Sequence, residues 1–176
     1  MGQSGVKELF LLPQSSFTLS GCEFDANDKI INFNLGSTKW YQMQQIDETS
    51  EFNEKDIRDF KTGSLYWDQT QTMVFHSHSS ILRKQLLQIL AKPHVAIVRD
   101  NQNKYFLMGA TRGVWSDAEI KIEKSFGGLN GNIITLKGTE PTAAYEVIAS
   151  AITYTNIYVT SGGSGNESTP SEPSHD

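Results

Sequence analysis

Two histidines one residue apart, His76 and His78, are the sharpest candidates for chemistry in this sequence. On an extended strand, residues two apart face the same side, so both imidazoles can address one metal ion, with Asp68 or His94 as a third ligand. The opposing reading places the pair at a strand-to-helix junction, where polar side chains satisfy turns and caps, and no companion motif accompanies it. Cys22 is the single cysteine. That excludes an internal disulfide and a Cys-based zinc knuckle, and a nucleophilic thiol would need a base that its surroundings lack, so a core cysteine is expected. The run Gly127-Gly128-Leu129-Asn130-Gly131 is followed by a strand and by no Lys-Ser/Thr pair, which makes it a hairpin turn and not a phosphate cradle. Trp40, Trp67 and Trp115, with Tyr41 and Tyr66, are the residue types of a sugar-binding or base-stacking face. Without basic neighbours, packing in a core or between subunits is the stronger expectation. No catalytic, cofactor or metal residues are assigned, and the chain is expected not to be an enzyme.

The elements that would position these residues are mostly strands. The chain has 176 residues, 38% hydrophobic and 20% charged, which suits one folded domain over 1–160 followed by a polar flexible tail over 161–176. A formal charge of −5 argues against a surface evolved to grip nucleic acid. The start, Met1 to Leu9, lacks the pattern of a signal peptide, and apolar runs such as Leu9-Phe10-Leu11-Leu12 are too short to span a bilayer. No membrane partner is expected, and the cytoplasm is the expected place of synthesis and default location.

Phe17–Phe24, Lys29–Leu35 and Thr38–Ile46 read as an antiparallel meander with turns at Asn27-Asp28 and Gly36-Ser37. Ser64–His76 is the clearest strand: Tyr66, Asp68, Thr70, Thr72 and Val74 share one face, and Leu65, Trp67, Gln69, Gln71, Met73 and Phe75 the other. With the acid-rich stretch before it, this predicts a long hairpin over Asp47–His76, one that overhangs its own core and needs a neighbour. Ile81, Leu82, Leu86, Ile89 and Leu90 recur at helical spacing between a Ser79 or Ser80 cap and Pro93, giving one amphipathic helix over Ser80–Lys92. Strands resume at His94–Arg99, Lys104–Ala110, Ala118–Phe126 and Asn132–Gly138, with one or two β segments in Tyr145–Val159. The expected fold is mainly β: an antiparallel β-sandwich or barrel with a long β-hairpin and one packed α-helix.

A more specific pattern lies in the second half. Ser80-Ile81-Leu82-Arg83-Lys84-Gln85-Leu86 leads into a strand from His94, an Asp100-Asn101 turn and a strand ending at Gly109. Then comes the run Asn130-Gly131-Asn132-Ile133-Ile134-Thr135-Leu136, closing at Glu140-Pro141. Over about Leu65–Pro141 this order resembles the tail-tube-like virion proteins of tailed bacteriophages and prophages of Bacteroidetes-type hosts. The N-terminal third is similar only in strand pattern, and the tail beyond 160 lies outside the match. The resemblance implies a homo-oligomeric structural subunit of the virion tail, forming stacked and commonly hexameric rings that conduct DNA at ejection without binding it specifically. Its implied partners are other tail proteins: a sheath if the tail contracts, a terminator, a baseplate or hub. A lumen that passes DNA without holding it is sensibly lined with carboxylates. Glu48, Glu51, Glu54, Asp56 and Asp59 are therefore candidate lumen or ring-contact residues, against the plain alternative of a solvated face. Within the virion, a tail terminator, completion protein or head-tail adaptor is the nearest alternative. More distant ones are a metal-dependent enzyme using His76 and His78, and a carbohydrate-binding module using the tryptophans.

Overall fold

The computed structural model describes residues 5–44, 50–75, 84, 87–122 and 130–156. These form two packed sheets. The larger is built from β1 (Val6–Pro13), β2 (Glu23–Phe24), β3 (Ile30–Asn32), β4 (Trp40–Gln44), β7 (His94–Asp100), β8 (Tyr105–Met108), β11 (Tyr145–Val147) and β12 (Tyr154–Asn156). Its order is β12-β4-β1-β7-β8-β11-β3-β2. The smaller contains β5 (Glu51–Asp59), β6 (Ser64–Phe75), β9 (Trp115–Ile122) and β10 (Asn130–Glu140), in the order β5-β6-β10-β9.

The larger sheet is buried on both faces at its centre. Leu9 and Leu11 of β1, with Ala96 and Val98 of β7, turn toward the smaller sheet and meet Met73, Ile134 and Leu136. The alternate residues Phe10, Leu12, Val95 and Ile97 enter a second core with Phe17, Ile30, Phe33, Trp40 and Ile152. Ile30 of β3 and Trp40 of β4 stand five places apart in the strand order, roughly 24 Å in a flat sheet at about 4.8 Å per strand. Their shared core therefore requires the sheet to curl. Phe33 and Trp40 pack edge to face with ring centroids 5.1 Å apart inside it. Among the described residues neither sheet closes, so the architecture is a sandwich with one curled sheet, and the barrel alternative does not hold.

Expectation and structure agree on the hairpin and on the strands that follow the helix, as far as they are described; residues 123–129, with most of the glycine-rich turn, and the tail over 161–176 lie outside the described residues. The hairpin is regular, with Glu51 opposite Thr72 and Asp59 opposite Ser64, and no register shift between them. Gln69, Gln71 and Met73 are buried, as the face assignment for β6 requires. Residues 84 and 87–90 are helical and the chain leaves the helix before Pro93; Ile89 packs into the intersheet core. One strand was not foreseen and one expectation is corrected. Leu9–Leu12 belongs to a central strand, paired with β4 on one side and β7 on the other. The N-terminal meander forms only in its first hairpin: β2 and β3 pair antiparallel around the Asn27-Asp28 turn, but β3 then pairs in parallel with β11, and β4 pairs with β1 and β12. Phe17–Cys22 contains no strand: a 3-10 turn at Leu19–Gly21 sits between irregular residues.

The two sheets are pinned together at one end by the segment between β8 and β9. Glu140, 1% exposed, accepts the backbone N–H of Thr111 (2.9 Å) on one carboxylate oxygen and that of Arg112 (2.8 Å) on the other. Gln69 Oε1 accepts the N–H of Gly109 at 2.9 Å. The segment then bridges back to the larger sheet, where His94 and Val114 exchange hydrogen bonds of 2.9 and 2.7 Å. Here backbone meets backbone closely. A Cβ on Gly138 would stand 2.9 Å from Gly113 O and 2.8 Å from Val114 Cγ1.

Candidate assembly surface

Period-two alternation divides the smaller sheet into a face packed on the core and a face left open. Register places Glu51, Asn53, Lys55, Ile57 and Asp59 of β5 on the open face with Tyr66, Asp68, Thr70, Thr72 and Val74 of β6. Ile133, Thr135, Lys137 and Thr139 of β10 and Trp115, Asp117 and Glu119 of β9 complete it. Acids outnumber bases there: Glu51, Asp59, Asp68, Asp117 and Glu119 stand against Lys55 and Lys137 among the described side chains. Lys137 Nζ lies 3.5 Å from Asp117 Oδ2, an exposed pair that adds little stability.

The five candidate acids are thus not one group. Glu51 and Asp59 lie on the open face. Glu54 turns the other way, where its Oε1 accepts Gln69 Nε2 at 2.8 Å and the N–H of Ala144 at 2.6 Å, so it fastens the fold. Asp56 shares that inner side, beyond the core, and meets Arg58 Nε at 3.4 Å. The Asp59 carboxylate accepts the Lys61 N–H at 2.9 Å, and the bonds it takes from the turn hold it below the usual carboxylate range. Glu48 lies outside the described residues.

Other candidates separate as well. His76 and His78 lie outside the described residues. His94 is buried, and burial pushes its imidazole down in pKa; Asp68 Oδ1 accepts the Thr139 hydroxyl at 3.0 Å. Among the described residues no group of three His, Cys, Asp or Glu could hold a metal ion. Cys22 is half-buried beside the second core, and burial pushes its thiol up to about 11, which keeps it protonated and unreactive. The tryptophans share no platform. Trp40 is fully buried behind the larger sheet, Trp115 is 58% exposed on the open face, and Trp67 belongs to the opposite face of the same sheet.

Sequence reasoning missed the sheet edges. The larger sheet ends in strands of two and three residues, β2 and β12. The smaller ends in β5 and β9, nine and eight residues long, with no proline and no register shift in either. Long straight edges present rows of unpaired backbone groups ready for another strand. The distal half of the β5–β6 hairpin also runs past the core: from Lys55 to Tyr66 no residue is buried, and Phe60 at the tip is 92% exposed. No helix among the described residues is long and apolar enough to cross a membrane. No known family model, curated protein or solved structure matches the chain.

Proposed function

We propose that the chain is a structural virion subunit, a tail-tube protein that closes into rings and stacks them into a conduit for DNA. The pair of long open edges on one four-stranded sheet carries this reading. All three pairings in the order β5-β6-β10-β9 are antiparallel, so β5 and β9 run in opposite directions. When a copy is rotated about an axis to stand beside its neighbour, its β9 meets the neighbour's β5 in antiparallel register. An odd number of strands would not allow this. Each subunit then uses two different edges, a heterologous contact that closes into a ring and leaves no edge of the smaller sheet exposed.

A six-subunit ring, the copy number that the tail-tube resemblance implies, would hold about 24 strands. At about 4.8 Å spacing and about 40° tilt, its circumference is about 150 Å and its diameter about 50 Å. Barrels of 16–18 strands already enclose a water-filled channel, so this one conducts with room to spare. The core-facing side of the sheet is occupied by the larger sheet, which leaves the open face to line the lumen. Its threonines and its excess of carboxylates suit passage of a polyanion, wetting the wall while repelling phosphate.

The test is electron microscopy and sedimentation of the concentrated full chain. Rings with a central hole, alone or stacked, are expected. A protein that stays monomeric across concentration, salt and pH sinks the reading, and particles that are always one ring deep point to a terminator or adaptor instead.

A further inference from the structure

A ring accounts for the edges of the smaller sheet but not for the hairpin tip. Phe60 stands 92% exposed on an ordered turn. Gly63 donates to Asp59 O at 2.8 Å, Lys61 N–H to Asp59 Oδ1 at 2.9 Å, and the Thr62 hydroxyl to Ser64 Oγ at 3.0 Å. Gly63 takes a φ of +70°, a conformation that glycine adopts without strain. A large aromatic ring on so well-bonded a turn is a preorganised knob, the residue type that dominates binding energy when it fills a pocket.

The opposite end of the same strand carries a hole. Val6, Val98, Phe52 and Phe106 line a cleft of about 520 Å³ between the sheets, with Ser50, Glu51 and Asp100 at its rim. Phe52 and Phe106 stack there with centroids 6.4 Å apart. The tip and the rim do not repel. The tip carries two charges of each sign, Arg58 and Lys61 with Asp56 and Asp59, and is neutral overall, which an otherwise acidic rim accepts without like-charge repulsion. The rim carries Glu51 and Asp100, the latter with Oδ1 bound to the N–H groups of Gln102 and Lys104.

We infer that Phe60 of one copy seats in the Phe52–Phe106 cleft of a second copy, and that this contact stacks one ring on the next. The inference rests on the ring-forming reading above. Knob and hole lie at the two ends of β5, so copies joined this way all point in one direction, and the contact repeats without closing. A heterologous contact that does not close gives an open filament. With edges closing around the axis and tips propagating along it, the product is a tube.

The test uses the full chain with Cys22→Ser, Lys61→Cys and Glu51→Cys, which keeps Phe60, oxidised with diamide. Glu51 and Lys61 are separated by about 30 Å of extended strand and turn, against the roughly 7 Å that a disulfide permits between Cα atoms, so the two cannot bridge within one copy. A disulfide ladder on a non-reducing gel is expected, with each single-cysteine variant stopping at dimers. No ladder beyond that of the single variants overturns the inference. Phe60→Asp is expected to leave rings but abolish stacks in electron micrographs; tubes of unchanged length overturn it. A ladder without rings upholds the tip contact and removes the ring reading, and rings without a ladder do the reverse.

Discussion

Glu140 acts as an acceptor inside the protein, its two oxygens taking one backbone N–H each from Thr111 and Arg112. Glu140→Ala strands both donors in a site that is 1% exposed. The expected loss is about 1–3 kcal/mol for each, read from urea unfolding, with Glu140→Gln falling between the two proteins because its amide retains one acceptor. His94 sets a pH limit on stability. Burial lowers its folded-state pKa, and Nδ1 has no partner among the described residues, so the unfolded chain takes up the proton first. Its contribution is complete above the unfolded value of about 6.5 and is lost as pH falls below it toward the folded value. The urea midpoint should therefore fall between pH 7.5 and 5.5, and His94→Gln should flatten that part of the profile. An unchanged slope would place the acid sensitivity elsewhere.

Among the elements, the β5–β6 hairpin was legible because one of its strands alternates cleanly and both are uninterrupted; period two alone assigned Gln69, Gln71 and Met73 to the core face. The same rule failed on β1. Leu9, Phe10, Leu11 and Leu12 fill two cores on opposite sides of one sheet, and a strand buried on both faces has no alternation to read. The pairing of β3 with β11 and of β4 with β12 joins segments more than 100 residues apart, which no local signal encodes. The candidate acids looked alike in sequence; Glu54 became structural only because Gln69 and Ala144 lie within reach of it. The hairpin turn gives a local prediction. Its bonds to Asp59 depress that carboxyl, so the contribution is present above the unfolded carboxylate value of about 3.9 and lost as pH falls through the folded one. The protection of the Lys61 amide, its exchange rate taken relative to that of an unprotected amide at the same pH, should fall in acid, and Asp59→Asn should weaken that dependence, while the amides of β7 keep their protection.

For the molecule as a whole, charge decides when assembly occurs. Each copy carries a formal −5, and closing a ring gathers several such charges around one axis. The edges that meet are themselves acidic, with Glu51, Glu54, Asp56 and Asp59 on β5 and Asp117 and Glu119 on β9, relieved by Lys55, Arg58 and Lys121. Backbone pairing is short-ranged and indifferent to salt, whereas this repulsion reaches about 10 Å at 0.1 M ionic strength and about 3 Å at 1 M. Raising sodium chloride from 0.05 to 1 M should therefore shift the sedimentation profile from small species toward rings. The tip contact joins a neutral tip to an acidic rim and rests on burial of Phe60, so salt leaves it largely in place. Glu119→Lys removes one acid from the β9 edge and supplies a base opposite the acids of β5. It should lower the salt needed for ring formation without changing the unfolding free energy by more than about 0.5 kcal/mol, the usual range for an exposed substitution. If rings instead dissolve as salt rises, or if Glu119→Lys leaves the threshold where it was, β5 and β9 are not the surfaces that meet.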